Sequence, residues 1–223
     1  MSAIKERPIL FSAPMVRAIL EGRKTVTRRA VKPQFQTAPV DVVDGVPSWD
    51  SPSNYAGEVQ MNTQRGKPCP YGQPGERLWV REGFGEIYDY CEHPEMPGCP
   101  DEHWHIAWKY RADGEFDMKE WDGVFTGWKP SIHMPRVACR ILLEITDVRV
   151  ERLQAITWEQ ALDEGIGDHR FECDRPVEPD GYPACSCGSV GYVDTFAVLW
   201  NSTGGDWDAN PWVWVVEFRR VQP

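Results

Sequence analysis

The stretch Glu21-Gly22-Arg23-Lys24-Thr25-Val26-Thr27-Arg28-Arg29 concentrates the reactive side chains of this sequence, and the rest of the chain is best understood from it outward. Four cations and two hydroxyls lie within residues 23–29 of a 223-residue chain whose formal net charge is −10. In a regular strand, residues three apart point to opposite faces. Lys24 and Thr27 can therefore face one pocket only if the backbone bends, and we predict that bend. The alternative is that the run is a solvated surface patch of ion pairs.

The residues before this stretch predict a strand followed by a helix. Residues 8–11 form a short apolar strand. The helix has Ser12 or Ala13 as its N-cap and Pro14 in its first turn, where a missing N–H costs nothing. Gly22 should end it. The side chains whose helical spacing turns them towards the core are Met15, Val16, Ile19 and Leu20.

The remainder of the chain predicts an α+β fold that is mainly β. Strands are expected at 77–82, 105–110, 137–150 and 212–219, and either one strand or a bent pair accounts for 137–150. Thr157 and Gln160 form a capping-box pattern that starts a helix, and Gly165 stops it. A second short helix is expected at 194–200.

Length and composition favour one domain over 1–223. A chain with 41% hydrophobic residues can bury a single core. Nineteen Pro and nineteen Gly indicate long loops. We predict loop-rich insertions at about 33–69, 91–104 and 167–192, where no periodicity holds.

Composition also limits the partners. The sequence contains no run of about eighteen apolar residues that could span a membrane. Residues 1–6 lack the apolar segment of a signal peptide. We therefore expect a cytoplasmic protein with no membrane partner and no cofactor. A pI near 5.0 argues against broad binding of double-stranded DNA, which needs a wide basic surface. A local basic patch can still hold a nucleotide or a short single strand.

Cysteine and histidine side chains raise the question of zinc. The candidate ligands are Cys91, Cys99, His103, His105, Cys173, Cys185 and Cys187. These are residue types that zinc accepts, but their spacing matches none of the common paired signatures. The alternative is ordinary reduced cysteines, in agreement with an odd total of seven. We predict no bound metal.

Two carboxylates stand out because of where the pattern places them. Glu82 shares a strand face with Leu78 and Val80, so it needs a partner such as an arginine if that face is the core. If the strand ends first, Glu82 is solvated. Glu164 falls at the negative end of a helix dipole. In a closed cleft, burial would raise its pKa and suit it to proton transfer, and a nearby Lys24 would oppose that shift.

Taken together, these motifs resemble the ASCH domain, a family of the PUA-like superfamily. The resemblance rests on the helix before 21–29, on 77–82 with the preceding Gly75-Glu76, on the strand leading into the capped helix that ends at 163–165, and on the final strand. The motifs at 128–135 and 207–214 make the chain similar to the ASCH proteins that phages and prophages encode. The resemblance implies a small β-barrel flanked by short helices, and a bacterial host cytoplasm if a phage encodes the chain.

The family also implies an RNA-related or nucleotide-related cleft. A short bacterial member is an amidohydrolase that removes the acetyl group of N4-acetylcytidine, and its lysine, threonine and glutamate align with Lys24, Thr27 and Glu164. Other members bind single-stranded RNA and are associated with its cleavage. The resemblance thus implies either an amidohydrolase or a single-stranded RNA-binding module. The residues expected to contact the substrate are Arg23, Thr25, Arg28, Arg29, Trp79 and Glu82.

The chemistry of such a site has two versions. In the first, neutral Lys24 takes the proton of the Thr27 hydroxyl, which attacks the acetyl carbonyl, and Glu164 orients the lysine or shuttles the proton. In the second, Lys24 stays charged and stabilises the oxyanion while Glu164 activates a water. Both remain open at the level of sequence.

Overall fold

The computed structural model describes residues 4–35, 39, 41–43, 45–55, 58–89, 104–121, 123–166 and 191–222. The strands are β1 (Glu6–Leu10), β2 (Val26–Ala30), β3 (Asp41–Val43), β4 (Val46–Tyr55), β5 (Glu58–Arg65), β6 (Arg77–Arg81), β7 (Phe84–Asp89), β8 (Trp104–Tyr110), β9 (Val124–Phe125), β10 (Leu142–Arg152) and β11 (Trp212–Val221). The α-helices are α1 (Ala13–Leu20), α2 (Trp158–Asp163) and α3 (Tyr192–Ser202). The predicted α+β class with mainly strands is confirmed.

The largest sheet has five strands in the order β1-β6-β10-β11-β2. Strand β1 runs parallel to β6, and the other neighbours are antiparallel. Within the described ranges no ladder joins the edge strands β1 and β2, so the barrel implied by the family resemblance is not found there. The two edges nevertheless come within reach of one side chain, because Arg29 of β2 donates a hydrogen bond to the Leu10 carbonyl at 2.9 Å.

Two smaller sheets complete the strand inventory, with the orders β3-β4-β5 and β8-β7-β9. The first corrects a prediction, because most of 33–69 is regular β-structure and not irregular loop. The prolines of this segment concealed the strand pattern. Pro52 lies in a part of β4 that pairs with β5 alone among the described strands, because the pairing with β3 covers only Val46–Ser48, and such an edge position tolerates a proline.

The other two predicted insertions lie largely outside the described residues. Of 91–104, only Trp104 is described, and it begins β8. Of 167–192, the structure describes 191 and 192, and Tyr192 begins α3 two residues before the predicted helix start. No helix in the described ranges is long and apolar enough to cross a membrane.

The five-stranded sheet buries both of its faces. Strand β11 shows this directly, since Trp214, Val216 and Phe218 join the core on the α1 side while Val213 and Val215 join the core against α2 and α3. Alternate residues of a strand point to opposite faces, so one apolar strand serves two cores. Strand β2 lies beside β11 and is positioned by it at the sheet edge.

Glu82 follows β6 and is 1% exposed, so the strand does end before it, but its side chain is buried and not solvated. Arg140 supplies the partner that the sequence required. Its Nε and Nη2 atoms donate to the two carboxylate oxygens at 2.9 and 3.0 Å. Burial raises the pKa of Glu82, and the hydrogen bonds and charge of Arg140 oppose that shift. The fork-to-fork geometry therefore offsets the cost of burying a carboxylate.

Replacing Arg140 by Ala should lower the free energy of unfolding by about 3 kcal/mol at neutral pH, because a buried carboxylate loses its counter-ion. Without Arg140, the folded-state pKa of Glu82 rises further above its unfolded value. A carboxyl with a raised pKa stabilises the fold at low pH and loses that contribution as the pH rises through the folded pKa. Urea unfolding should thus show a smaller loss at pH 5 than at pH 8. Asp113→Ala removes the exposed partner of Arg140 and should cost under about 1 kcal/mol.

Candidate active site

The turn between α1 and β2 presents Lys24 to the site. Gly22 adopts a φ of 76°, which favours glycine, and the backbone N–H groups of Arg23 and Lys24 both donate to the Ala18 carbonyl. Lys24 then forms an isolated antiparallel bridge with Glu164, and regular pairing of β2 begins only at Val26. The backbone therefore bends between Lys24 and Thr27, and this is the bend that we predicted.

The end of α2 brings Glu164 to the same point. The predicted capping box is present, with Thr157 and Gln160 each accepting a hydrogen bond from the other's backbone N–H. Gly165 has a φ of 85°, and a Cβ on it would lie 2.7 Å from the Ala18 Cβ and 2.9 Å from the Lys24 Cβ. Only glycine allows this close approach of α2 to the turn after α1. Gly165 therefore ends α2 and also allows Glu164 to lie against Lys24.

Lys24 and Glu164 form a buried ion pair, with side-chain exposures of 1% and 5%. The Lys24 Nζ lies 2.7 Å from Glu164 Oε2, 2.8 Å from the Glu164 carbonyl and 2.8 Å from the Val26 carbonyl. The ammonium form of Lys24 can donate one N–H to each of these three oxygens. A neutral amine fits the same contacts only if Glu164 is protonated and donates to it.

The electrostatic surroundings nevertheless weaken the hold of Lys24 on its proton. Burial lowers the pKa of Lys24 from its ordinary value, the charge and hydrogen bond of Glu164 oppose that shift, and Arg29 and Arg28 add to it. A buried lysine with an adjacent carboxylate can pass its proton across a 2.7 Å hydrogen bond, leaving two neutral groups. The pair is suited to proton transfer.

Arg28 organises the carboxylate from the other side. It is 2% exposed, and its Nη1 atom lies 3.3 Å from Glu164 Oε1. Its Nη2 atom donates to Gln160 Oε1 at 2.7 Å and lies 3.5 Å from Glu151 Oε2. We predicted that Arg28 contacts the substrate, but its Nη atoms are committed to these protein acceptors. Arg28 is better described as a positioning residue that links Glu164 to the capping box.

Lys24, Thr27 and Glu164 meet in the wall of one cavity of about 910 Å³. This volume lies in the upper part of the range for ligand sites. Thr27 is 1% exposed, and within the described part of the chain its hydroxyl makes no hydrogen bond. The three groups that the family resemblance singled out therefore converge, although they come from two distant parts of the chain.

The open edge of β2 forms part of the same wall. Thr25 accepts from Phe218 and Val31 donates to Trp212, so the odd-numbered residues of β2 hydrogen-bond to β11. In an antiparallel ladder the residues between them direct their N–H and C=O groups the other way. Arg28 and Ala30, which line the cavity, thus carry backbone donors and acceptors on the edge away from β11.

Four of the predicted contact residues lie elsewhere. Arg23 bonds to Glu21 and to the Gly165 carbonyl outside the cavity lining, and Thr25 is exposed next to Asp163. Trp79 and Glu82 belong to the β6 end of the sheet, which β10 and β11 separate from β2. The structure brings Arg29 to the cavity but not these four residues.

The sequence pattern did not identify several residues of the wall. Phe35, Lys67 and Tyr71 come from the segment predicted as a loop or from just after it, and Trp200 comes from α3. Burial raises the pKa of Tyr71, which keeps its phenol a hydrogen-bond donor, while the charge of Arg29 opposes that shift. One sequence signal points to these residues. Aromatic and basic side chains flank the Pro-rich segment, as they often do at nucleic-acid contacts.

The zinc question falls mainly outside the described residues, which exclude Cys91, Cys99, His103, Cys173, Cys185 and Cys187. Of the candidates, only His105 is described. It lies exposed in β8 with its ring 4.2 Å from that of Trp108. Among the described residues no group of three or more His, Cys, Asp or Glu side chains could hold a metal ion.

Comparison with known protein families, with curated proteins and with solved structures gave no match to this chain.

Proposed function

We propose that this chain is a PUA-like protein of the ASCH type that hydrolyses an acyl amide on a pyrimidine nucleoside such as N4-acetylcytidine. The observation that carries the proposal is the convergence of Lys24, Thr27 and Glu164 on one cavity. An amine and a carboxylate 2.7 Å apart share the cavity wall with a hydroxyl that makes no hydrogen bond within the described residues, and together they provide a nucleophile and a proton relay. The contact of Arg29 with Leu10 supports the approach of β1 and β2 that a PUA-like barrel requires.

The acylation half-reaction uses the ion pair as a relay. Lys24 passes one proton to Glu164 Oε2 and becomes a neutral amine. That amine takes the Thr27 hydroxyl proton as the oxygen attacks the acetyl carbonyl carbon, giving a tetrahedral oxyanion. The re-formed ammonium gives a proton to the exocyclic nitrogen of the base as the C–N bond breaks. Cytidine leaves, and the acetyl group remains as an ester on Thr27.

Hydrolysis of the ester repeats the same proton movements with water. Neutral Lys24 takes a proton from water, hydroxide attacks the ester carbonyl, and the Thr27 oxygen leaves with a proton from Lys24. Acetic acid is released and loses its proton to water, and the proton held by Glu164 returns to Lys24. Arg28 holds Glu164 Oε1 throughout, so that Oε2 stays directed at the amine. No group beyond the chain and water is consumed.

The direct test is incubation of the protein with N4-acetylcytidine, followed by chromatography of the nucleosides and an acetate assay. We expect equal amounts of cytidine and acetate from the wild-type protein and none from Lys24→Met. Lys119→Met changes an exposed lysine that does not line the cavity and should leave the rate unchanged. Absence of cytidine from the wild-type reaction would overturn the proposal.

The rate should depend on pH in a way that the relay sets. In the wild-type protein Glu164 takes the proton of Lys24, so the pair keeps that proton and kcat/KM needs no loss of it to solvent. Glutamine at position 164 accepts no proton, so the residual kcat/KM of Glu164→Gln should rise with pH through the pKa of Lys24, which burial lowers. Asp163→Asn alters the neighbouring carboxyl and should keep the wild-type profile. A Glu164→Gln profile without such a rise would contradict the relay.

A single-stranded RNA-binding role without amide hydrolysis is the second candidate. It is favoured by the aromatic side chains of the wall, Phe11, Phe35 and Trp200, next to the Arg29 cation. Titration of a labelled single-stranded RNA at two salt concentrations tests it. Binding that weakens with salt, with no turnover of N4-acetylcytidine, would favour this role, and no binding at either concentration would remove it.

A further inference from the structure

The cavity wall carries more positive charge than the proposed chemistry uses. Its described cationic side chains are Lys24, Arg28, Arg29, Lys32 and Lys67, and its only described carboxylate is Glu164. Lys24 and Arg28 share that carboxylate. Within the described ranges, no carboxylate lies within salt-bridge distance of the other three cations. Arg29 is half-buried, and Lys32 and Lys67 are exposed at the cavity. The wall therefore carries a local excess of positive charge in a chain with a formal net charge of −10, and an anionic ligand would balance it.

The three unpaired cations reach the cavity from two separate segments. Arg29 shares a face of β2 with Thr27, because alternate residues of a strand point the same way. Lys32 follows the end of β2, and Lys67 follows the end of β5. Two segments thus place their cations around one cavity.

Arg29 is held in place before any ligand arrives. One Nη2 hydrogen goes to the Leu10 carbonyl at 2.9 Å, and the guanidinium carbon lies 5.3 Å from the centre of the Phe11 ring. A guanidinium has five N–H donors, so most of them stay available. A fixed guanidinium flanked by two flexible lysines suits the several oxygens of a phosphate group.

We propose that Arg29, Lys32 and Lys67 form a phosphate subsite, so that the cavity takes a pyrimidine nucleotide and not the free nucleoside. This rests on the proposed function for the position of the base, which lies against Lys24 and Thr27. The phosphate oxygens then accept from the three cations, and the sugar spans the space between. A cavity of about 910 Å³ has room for base, sugar and phosphate together.

Binding measurements test the subsite independently of catalysis. The probes are cytidine, cytidine 5′-monophosphate and a short cytidine-containing RNA, titrated into the full chain by calorimetry. We expect the monophosphate to bind at least about 10-fold more tightly than cytidine. Raising the salt concentration should weaken the binding of the monophosphate and leave the binding of cytidine unchanged. The double variant Lys32→Ala/Lys67→Ala should reduce the preference to about twofold, while Lys119→Ala retains it.

Each result decides the matter. Equal affinity for cytidine and its monophosphate, a double variant that keeps the full preference, or binding of neither compound would overturn the subsite. A monophosphate preference in a protein that fails to hydrolyse N4-acetylcytidine would support the subsite and overturn the amidohydrolase proposal. The RNA could also bind more tightly than the monophosphate and lose that advantage in the double variant. That result would support the subsite and identify an RNA strand as the source of the phosphate.

Discussion

Replacing Thr27 by Val is expected to reduce kcat/KM for N4-acetylcytidine by about a thousandfold or more, because the variant loses the attacking oxygen. Valine has nearly the shape of threonine and the same branching at Cβ. Thr27 is 1% exposed and its hydroxyl makes no hydrogen bond within the described residues, so the variant loses no protein contact. The fold should therefore survive, and the loss should appear in kcat.

Thr25→Val provides the matched control. Thr25 is two residues away, is exposed, and does not line the cavity. This variant should retain the wild-type rate. Mass spectrometry of the intact protein during turnover should detect an acetyl ester on wild-type protein and none on Thr27→Val. A Thr27→Val variant with wild-type kcat would instead mean that water attacks directly while Lys24 stays charged, the second version of the chemistry.

Local elements of the site were predictable because their causes lie within a few residues. Gly22 ends α1, the Thr157 and Gln160 pair starts α2, and Gly165 stops it, as the patterns of caps and glycines required. The need of Glu82 for a partner followed from the cost of burying a carboxylate. The identity of that partner, Arg140, lies 58 residues away and has no local signal.

The order of strands in the sheet was not predictable in the same way. Trp79 and Glu82 are among the residues that we predict to contact the substrate, and they lie in β6 and directly after it. In the structure, β10 and β11 separate β6 from β2. Hydrophobic periodicity fixes which residues face a core but not which strand lies next to which. The same limit concealed Lys67 and Tyr71, whose contribution to the cavity depends on where β5 ends.

Replacing Glu164 by Leu should lower the free energy of unfolding by about 4 kcal/mol, because it leaves the buried Lys24 without its carboxylate and removes one acceptor of Arg28. For a chain of this size that corresponds to a fall in Tm of about 10 °C. Thermal and urea unfolding measure it. Asp163→Asn, in the last turn of the same helix, should change stability by under about 1 kcal/mol.

A double-mutant cycle with Lys24→Met distinguishes the free-energy cost of breaking the ion pair from the cost of lost packing. If the cost comes from an unpaired buried charge, Lys24→Met/Glu164→Leu should be more stable than the sum of the single changes predicts, by about 2 kcal/mol. Arg28 keeps Gln160 and Glu151 in the double variant, so no isolated cation remains. Strict additivity would show that the two side chains do not depend on each other, which the 2.7 Å contact and the three saturated donors of Lys24 argue against. A stable double variant without activity would show that the pair is kept at a cost to the fold, as expected of a group whose role is proton transfer.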